Sequence, residues 1–173
     1  MVSATNVLRR QWRESGDRLE RRLAGMSDAE FFWEPAPGCW TVRAHPTLPG
    51  RWDIDYDWTT PEPPPLTTIA WRLVHLANGN WIYWEHAFGP GVRMFPDLVV
   101  PGSAAAARAY WQDSRAPVSD WLERATDESL RELRPSHLGE PRSAGDVVLA
   151  LVDEQTHHGA EIALLRDLHR AGG

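Results

Sequence analysis

Apolar and polar positions along the chain sort into four long helical patterns separated by irregular segments. The clearest is the last. Steps of three and four join Val147, Leu151, Glu154, His158, Ile162 and Leu165, the stripe of an amphipathic helix. Ser143 with Asp146 caps its start, and the pattern runs to about His169. A first helix is predicted from Ala4 to Leu23, with Leu8, Trp12, Leu19 and Leu23 as a thin apolar face, Ser3 or Thr5 near its cap and Gly25 as its stop. Ser27 and Glu30 then have the form of a capping box, which predicts a short turn over Asp28 to Phe32. A second helix follows Pro65, capped by Thr67 or Thr68 and ending at Gly89-Pro90, with Leu66, Ile69, Leu73, Leu76, Asn80 and Tyr83 as its core stripe. A third spans about Ser103 to Ala125, and Pro117 inside it is expected to kink or divide it. No segment alternates clearly enough to predict a strand. The pattern predicts an all-α single domain over residues 1–173, a four-helix bundle running up-down-up-down or with one crossover.

The segment from Trp33 to Pro65 is different. It holds eight prolines, which excludes regular helix or a central strand. It also holds Trp33, Trp40, Trp52, Tyr56 and Trp58, and flexible linkers lack such large apolar anchors. An ordered Trp/Pro-rich loop between helices 1 and 2, lying over one end of the domain, is expected. Asp53, Asp55 and Asp57 alternate there, but the glycine and glutamate of a calcium loop are missing at the required positions.

Two members of the last helical stripe are not apolar. Glu154 and His158 stand one turn apart, facing where the core should be. A buried carboxylate needs its charge compensated, and Glu-x-x-x-His is a spacing at which two side chains share one metal ion. A hydrogen-bonded Glu–His pair fits the same spacing. His75, at the edge of the second helical stripe, is a candidate third ligand.

Composition narrows the partners. The net charge of −6 and the absence of a basic stripe argue against nucleic acid. No run of 18 apolar residues exists, which argues against a membrane span, and no apolar stretch precedes the first arginines as in a secretory signal. A cytoplasmic location is therefore expected. Cys39 is the only cysteine, which rules out an intramolecular disulfide and a cysteine-based zinc site; with no base nearby in sequence it reads as an inert thiol. Ten tryptophans point to aromatic packing and a walled cavity, with Trp71, Trp81 and Trp84 as candidates for its wall.

Two stretches together carry a family resemblance: Pro-Leu-Thr-Thr-Ile-Ala-Trp-Arg-Leu-Val-His-Leu-Ala over 65–77, and Asp-Glu-Gln-Thr-His-His-Gly-Ala-Glu-Ile-Ala-Leu-Leu-Arg-Asp-Leu over 153–168. They resemble the DinB-like superfamily, in the branch that includes the metal-binding domain of mycothiol-dependent maleylpyruvate isomerase. Trp33-Glu34-Pro35 and Cys39-Trp40-Thr41-Val42-Arg43 are similar to the segment that joins the first two helices in that branch. The resemblance implies a four-helix bundle, a homodimer, and one divalent metal held by His75, Glu154 and His158, with zinc the first choice and nickel or iron as alternatives. It also implies a low-molecular-weight thiol such as mycothiol as cosubstrate, in S-transfer or isomerisation of a small electrophile. Two imidazoles and one carboxylate leave a fourth position open, as in catalytic rather than structural zinc sites. The same ligands suit a metal-dependent hydrolase, and a non-enzymatic metal-binding sensor or interaction bundle is the alternative outside catalysis. His157 is a candidate acid–base residue at the pocket rim, though a solvent-facing histidine fits as well. Asp153 reads as a solvated helix residue, with orienting a ligand imidazole as the functional alternative. Arg72, Tyr83, His86 and Thr156 are candidates for contacts with substrate or thiol.

Overall fold

The computed structural model describes residues 3–59 and 61–172. Its long elements are helices: α1 (Ala4–Leu23), α3 (Ile69–Phe88), α4 (Ala104–Arg124) and α5 (Ala144–Arg170), with a single turn, α2 (Asp28–Phe31), after α1. Each long helix starts at a hydroxyl cap. Ser3, Thr68, Ser103 and Ser143 accept from the backbone N–H three residues on, at Asn6, Trp71, Ala106 and Asp146, each such cap stabilising by about 1 kcal/mol. The Ser27–Glu30 capping box is present in full. Pro117 does not divide α4.

The four long helices pack around one core, α1 on α4 and α5, and α3 on α4 and α5. Around α3, Ile69, Leu73 and Leu76 are buried against Leu19 of α1, Trp111 of α4 and Ile162 of α5. A second cluster joins Trp12, Val118, Leu122, Val148 and Leu151 at the other end. Several polar groups inside this packing are paired across helices. Gln155 donates to the Ser15 hydroxyl at 2.6 Å and to the Trp12 carbonyl at 3.2 Å. Trp12 Nε1 donates to Ser119 at 2.9 Å. The deepest ion pair ties α5 to α2: the Arg166 side chain is 2% exposed, its Nε and Nη2 each donate to a Glu30 oxygen at 3.0 Å, and its Nη1 donates to the Ala24 and Arg22 carbonyls. No helix among the described residues is long and apolar enough to cross a membrane.

The expectation of no strand is corrected by two small hairpins. β1 (Val42–Ala44) pairs antiparallel with β2 (Trp52–Ile54), and β3 (Leu133–Arg134) with β4 (Arg142–Ser143). Two or three residues are too short to show alternation, and a two-stranded ribbon has only edges, where neighbouring prolines are tolerated. Leu66, expected in the core stripe of α3, is 57% exposed. It precedes the Thr68 cap and its carbonyl accepts from the Trp40 N–H at 2.9 Å, while Thr68 N–H donates to the Trp40 carbonyl at 2.9 Å. That bridge, with Trp71 Nε1 donating to the Asp55 carbonyl at 2.7 Å, fixes the loop before α3 against the helix that carries His75. The alternating aspartates are used in ordinary pairing: Asp55 accepts from Arg43 and Asp53 from Arg51.

Candidate metal centre

α3 and α5 lie side by side, and the ridge of α5 that carries Glu154 and His158 faces His75 on α3. The three side chains offer donor atoms that all lie within 4.8 Å of one another. Glu154 Oε2 is 3.2 Å from His158 Nε2 and 3.6 Å from His75 Nε2. The second separation is too long for a hydrogen bond. Donor atoms around an ion with bonds of about 2.0–2.1 Å form a tetrahedron whose edges are about 3.4 Å, which the two separations bracket.

The protonation pattern is set by Glu161, one turn beyond His158. Its Oε2 lies 2.8 Å from His158 Nδ1 and is paired with Arg72 Nη1. A carboxylate only accepts, so Nδ1 carries the proton and donates. In the neutral ring, the Nε2 lone pair then faces Glu154 Oε2. Two acceptors facing each other at 3.2 Å call for a cation between them, either a metal ion or a proton on the ring. His75 is positioned differently, stacked on the Trp71 indole with ring centroids 4.6 Å apart and planes at 11°. The neighbouring imidazoles, His158 first and then His75, hold the Glu154 carboxyl far below the usual range, against the opposing effect of burial.

The setting differs from the expected one in one respect. His158 is buried, but the Glu154 side chain is 43% exposed, because it faces a cavity rather than packed core. Two cavities meet here. One, about 150 Å³, is lined by His75, Gly79, Tyr83, His137, Leu151 and Glu154, with Phe95 at its edge. The other, about 300 Å³, is lined by Ile54, Tyr56, Trp58, His75, Phe95 and Val100. His75 and Phe95 belong to both.

Among the other residues singled out in the sequence, Trp71 stacks on His75, and Arg72 Nη1 lies 3.3 Å from His158 Nδ1. Trp81 and Trp84 do not wall either cavity; they pack against Tyr110 and Phe88. Asp153 is exposed and does not orient an imidazole, since Glu161 occupies that place. His157 is 63% exposed, with Nε2 3.3 Å from Glu161 Oε1, and lines neither cavity. Together His157, His158 and Glu161 form a second group with metal-ligand spacing, but Arg72 already compensates the Glu161 charge. Thr156 donates to the Val152 carbonyl. His86 Nε2 lies 3.0 Å from the Arg93 carbonyl. Cys39 is buried, its thiol donating to the Ala36 carbonyl at 2.9 Å. Glu161 was legible as a residue three after His158 on the same helix face. His137 comes from a loop and Phe95 from a single 3-10 turn (Phe95–Asp97), and no local spacing marks them.

A family profile described as the DinB superfamily matches residues 53–162, more than half of the chain. The chain belongs to that superfamily. A crystal structure described as that of the conserved protein of locus from Enterococcus faecalis is similar at a TM-score of 0.59 and 15% identity, over 97% of this chain and 98% of that one. At this identity the likeness is one of fold. No curated protein matches the chain.

Proposed function

We propose that this chain is a DinB-type four-helix bundle working as a divalent-metal enzyme, with zinc held by His75, Glu154 and His158 and a low-molecular-weight thiol such as mycothiol as cosubstrate. The observation that carries the transferase reading is the pair of cavities meeting at His75. A hydrolase needs room for one organic substrate and water, whereas joining a thiol to an electrophile needs two compartments opening on one centre. A bound divalent ion would supply a Lewis-acid position at which a thiol loses its proton near neutral pH.

The chain's own residues set up that centre. Two neutral imidazoles and one carboxylate leave a +2 ion with net charge +1, which suits an anionic fourth ligand. Glu161 keeps the proton of His158 on Nδ1 and so directs Nε2 to the ligand cluster. Trp71 holds the His75 ring by stacking and covers one face of it. The Trp58, Tyr56 and Phe95 rings give the larger compartment an aromatic wall suited to the apolar parts of a cosubstrate. The net reaction is a substitution in which the S–H bond and the bond from carbon to its leaving group break, a carbon–sulfur bond forms, and a proton and the leaving anion depart, chloride in the test reaction.

The test is conjugation of mycothiol to 1-chloro-2,4-dinitrobenzene by zinc-loaded protein, followed beside Glu154→Ala. Metal-dependent conjugation well above the free-solution rate, lost in the variant, supports the proposal. Stoichiometric metal with no thiol conjugation, and with hydrolysis of ester substrates instead, would replace it with the hydrolase reading.

A further inference from the structure

Gly79 sits in the middle of α3, where glycine weakens a helix relative to alanine. A Cβ built at this position meets nothing within 4 Å. Neither close packing nor backbone conformation therefore requires the glycine, and what its missing side chain leaves is the smaller cavity, which Gly79 lines. One end of that cavity is the His75–Glu154 edge of the ligand cluster. Tyr83 and His137 line it as well, their rings meeting edge to face with centroids 4.6 Å apart.

Neither Tyr83 nor His137 makes a side-chain hydrogen bond to another described residue, and His137 Nδ1 is buried without a partner. Asn80 in the wall is fully buried. It donates to Ser114, whose own proton goes to the Trp111 carbonyl, so the amide orientation is fixed and Oδ1 is left unpartnered. Buried polar groups are ordinarily satisfied. Two such groups, His137 Nδ1 and Asn80 Oδ1, line one small space beside a Tyr83 hydroxyl with no side-chain partner, and together they indicate a missing polar ligand.

The geometry points to this compartment as the binding site of a small substrate with an apolar body and a carbonyl-type oxygen, the oxygen held by Tyr83 and His137 and the body seated over Gly79, Leu76 and Leu151. This rests on the transferase reading above and assigns its electrophile to the smaller of the two cavities. At about 150 Å³ the space takes a fragment-sized molecule, well below the 300–1,000 Å³ of drug-sized sites. Burial, and then the Glu154 charge, push the Tyr83 hydroxyl up, which keeps it a donor. Burial first, then His86 and Arg142, push the His137 imidazole down, which keeps it neutral with one N–H to give. A carboxylate and a neutral carbonyl share the chemistry these groups recognise.

The experiment is titration of the metal-loaded protein with butyrate, butyramide and butan-1-ol, read from the ring resonances of His137 by proton–nitrogen NMR. His137→Gln identifies the signal, and metal content is measured alongside. One of the two carbonyl probes is expected to shift the resonance saturably, with butan-1-ol about tenfold weaker, as for one lost hydrogen bond. Gly79→Leu is expected to abolish the saturable shift while keeping the metal and a thermal midpoint no lower than the parent. Gly79→Ala should weaken binding in the same direction if the leucine variant does not fold. Absence of a saturable shift with any probe overturns the assignment, as does equal binding of butan-1-ol or unchanged binding in both Gly79 variants. A protein without metal whose His137 still responds would refute the metal reading alone; one with metal and no response would refute the compartment alone.

Discussion

Replacing Glu161 with glutamine separates a merely adjacent carboxylate from one that sets the ligand geometry. The bond at stake runs from His158 Nδ1 to Glu161 Oε2, 2.8 Å long. Glutamine presents a carbonyl oxygen at the same place, so the hydrogen bond survives but loses its charge assistance. Charge-assisted bonds contribute about 1.5–3 kcal/mol and neutral ones about 0.5–1.5. The difference, about 1–1.5 kcal/mol, makes the His158 ring a poorer donor by roughly tenfold in metal affinity, the lower end of what losing an outer partner of a ligand histidine costs. The same change removes the compensating charge from Arg72, whose side chain is only 15% exposed and whose guanidinium burial already pushes below its usual range. Apo-protein stability should therefore fall as well, by about 1 kcal/mol or more. Competition with a chromophoric zinc chelator measures the first effect and urea unfolding of the apo form the second. Zinc affinity within twofold of the parent, in a variant that still folds, would refute the claim that Glu161 orients His158.

The other predictions concern the frame and the rim. Arg166→Met should cost about 3 kcal/mol in urea unfolding, because it leaves the buried Glu30 with Arg170 as its one cationic partner and frees the Ala24 and Arg22 carbonyls; a loss below about 1 kcal/mol would mean that the pair is not structural. Arg108, first among its causes, holds Glu20 below the ordinary 4.5, and Glu30 is also lowered: burial pushes it up, but the Ser27 N–H and Arg166 outweigh that. A lowered folded-state value contributes stability above the unfolded value, so stability should decline as pH falls below 4.5 toward the folded values, and Glu30→Gln should flatten that decline; a parallel decline in the variant would count against it. His157→Ala should leave metal content unchanged and thiol conjugation within about twofold, since the ring is largely exposed and lines neither cavity; a loss of activity tenfold or greater would reinstate it as an acid–base residue.

The helices were legible because each begins with a hydroxyl cap and keeps a stripe at helical spacing, so α1 begins at Ala4 and ends at Leu23 as read from the chain. Glu154 and His158 were legible for the same reason, as polar residues standing in an apolar stripe. His75, a lone histidine at the edge of another stripe, joined them as a candidate third ligand and gained weight from the family resemblance, and the fold brings it across from α3. The hairpins were not legible, because their strands are too short for a period to register. His137 was not either: it sits in the β3–β4 turn, and only tertiary packing carries it to Tyr83. Asp153 is the solvated helix residue that its position suggests, whereas Glu161, one turn past His158, shares that histidine's face. Sequence spacing therefore finds partners along one helix and misses those that packing supplies.

The most direct test of the account is metal content of the purified protein beside His75→Ala, Glu154→Ala and His158→Ala. Close to one zinc per chain in the parent, lost in all three folded variants, is the predicted result. Zinc retained in the variants, or absent from a parent protein purified without chelators and supplied with zinc, would contradict it and leave Glu154 and His158 as a charged pair on a helical scaffold.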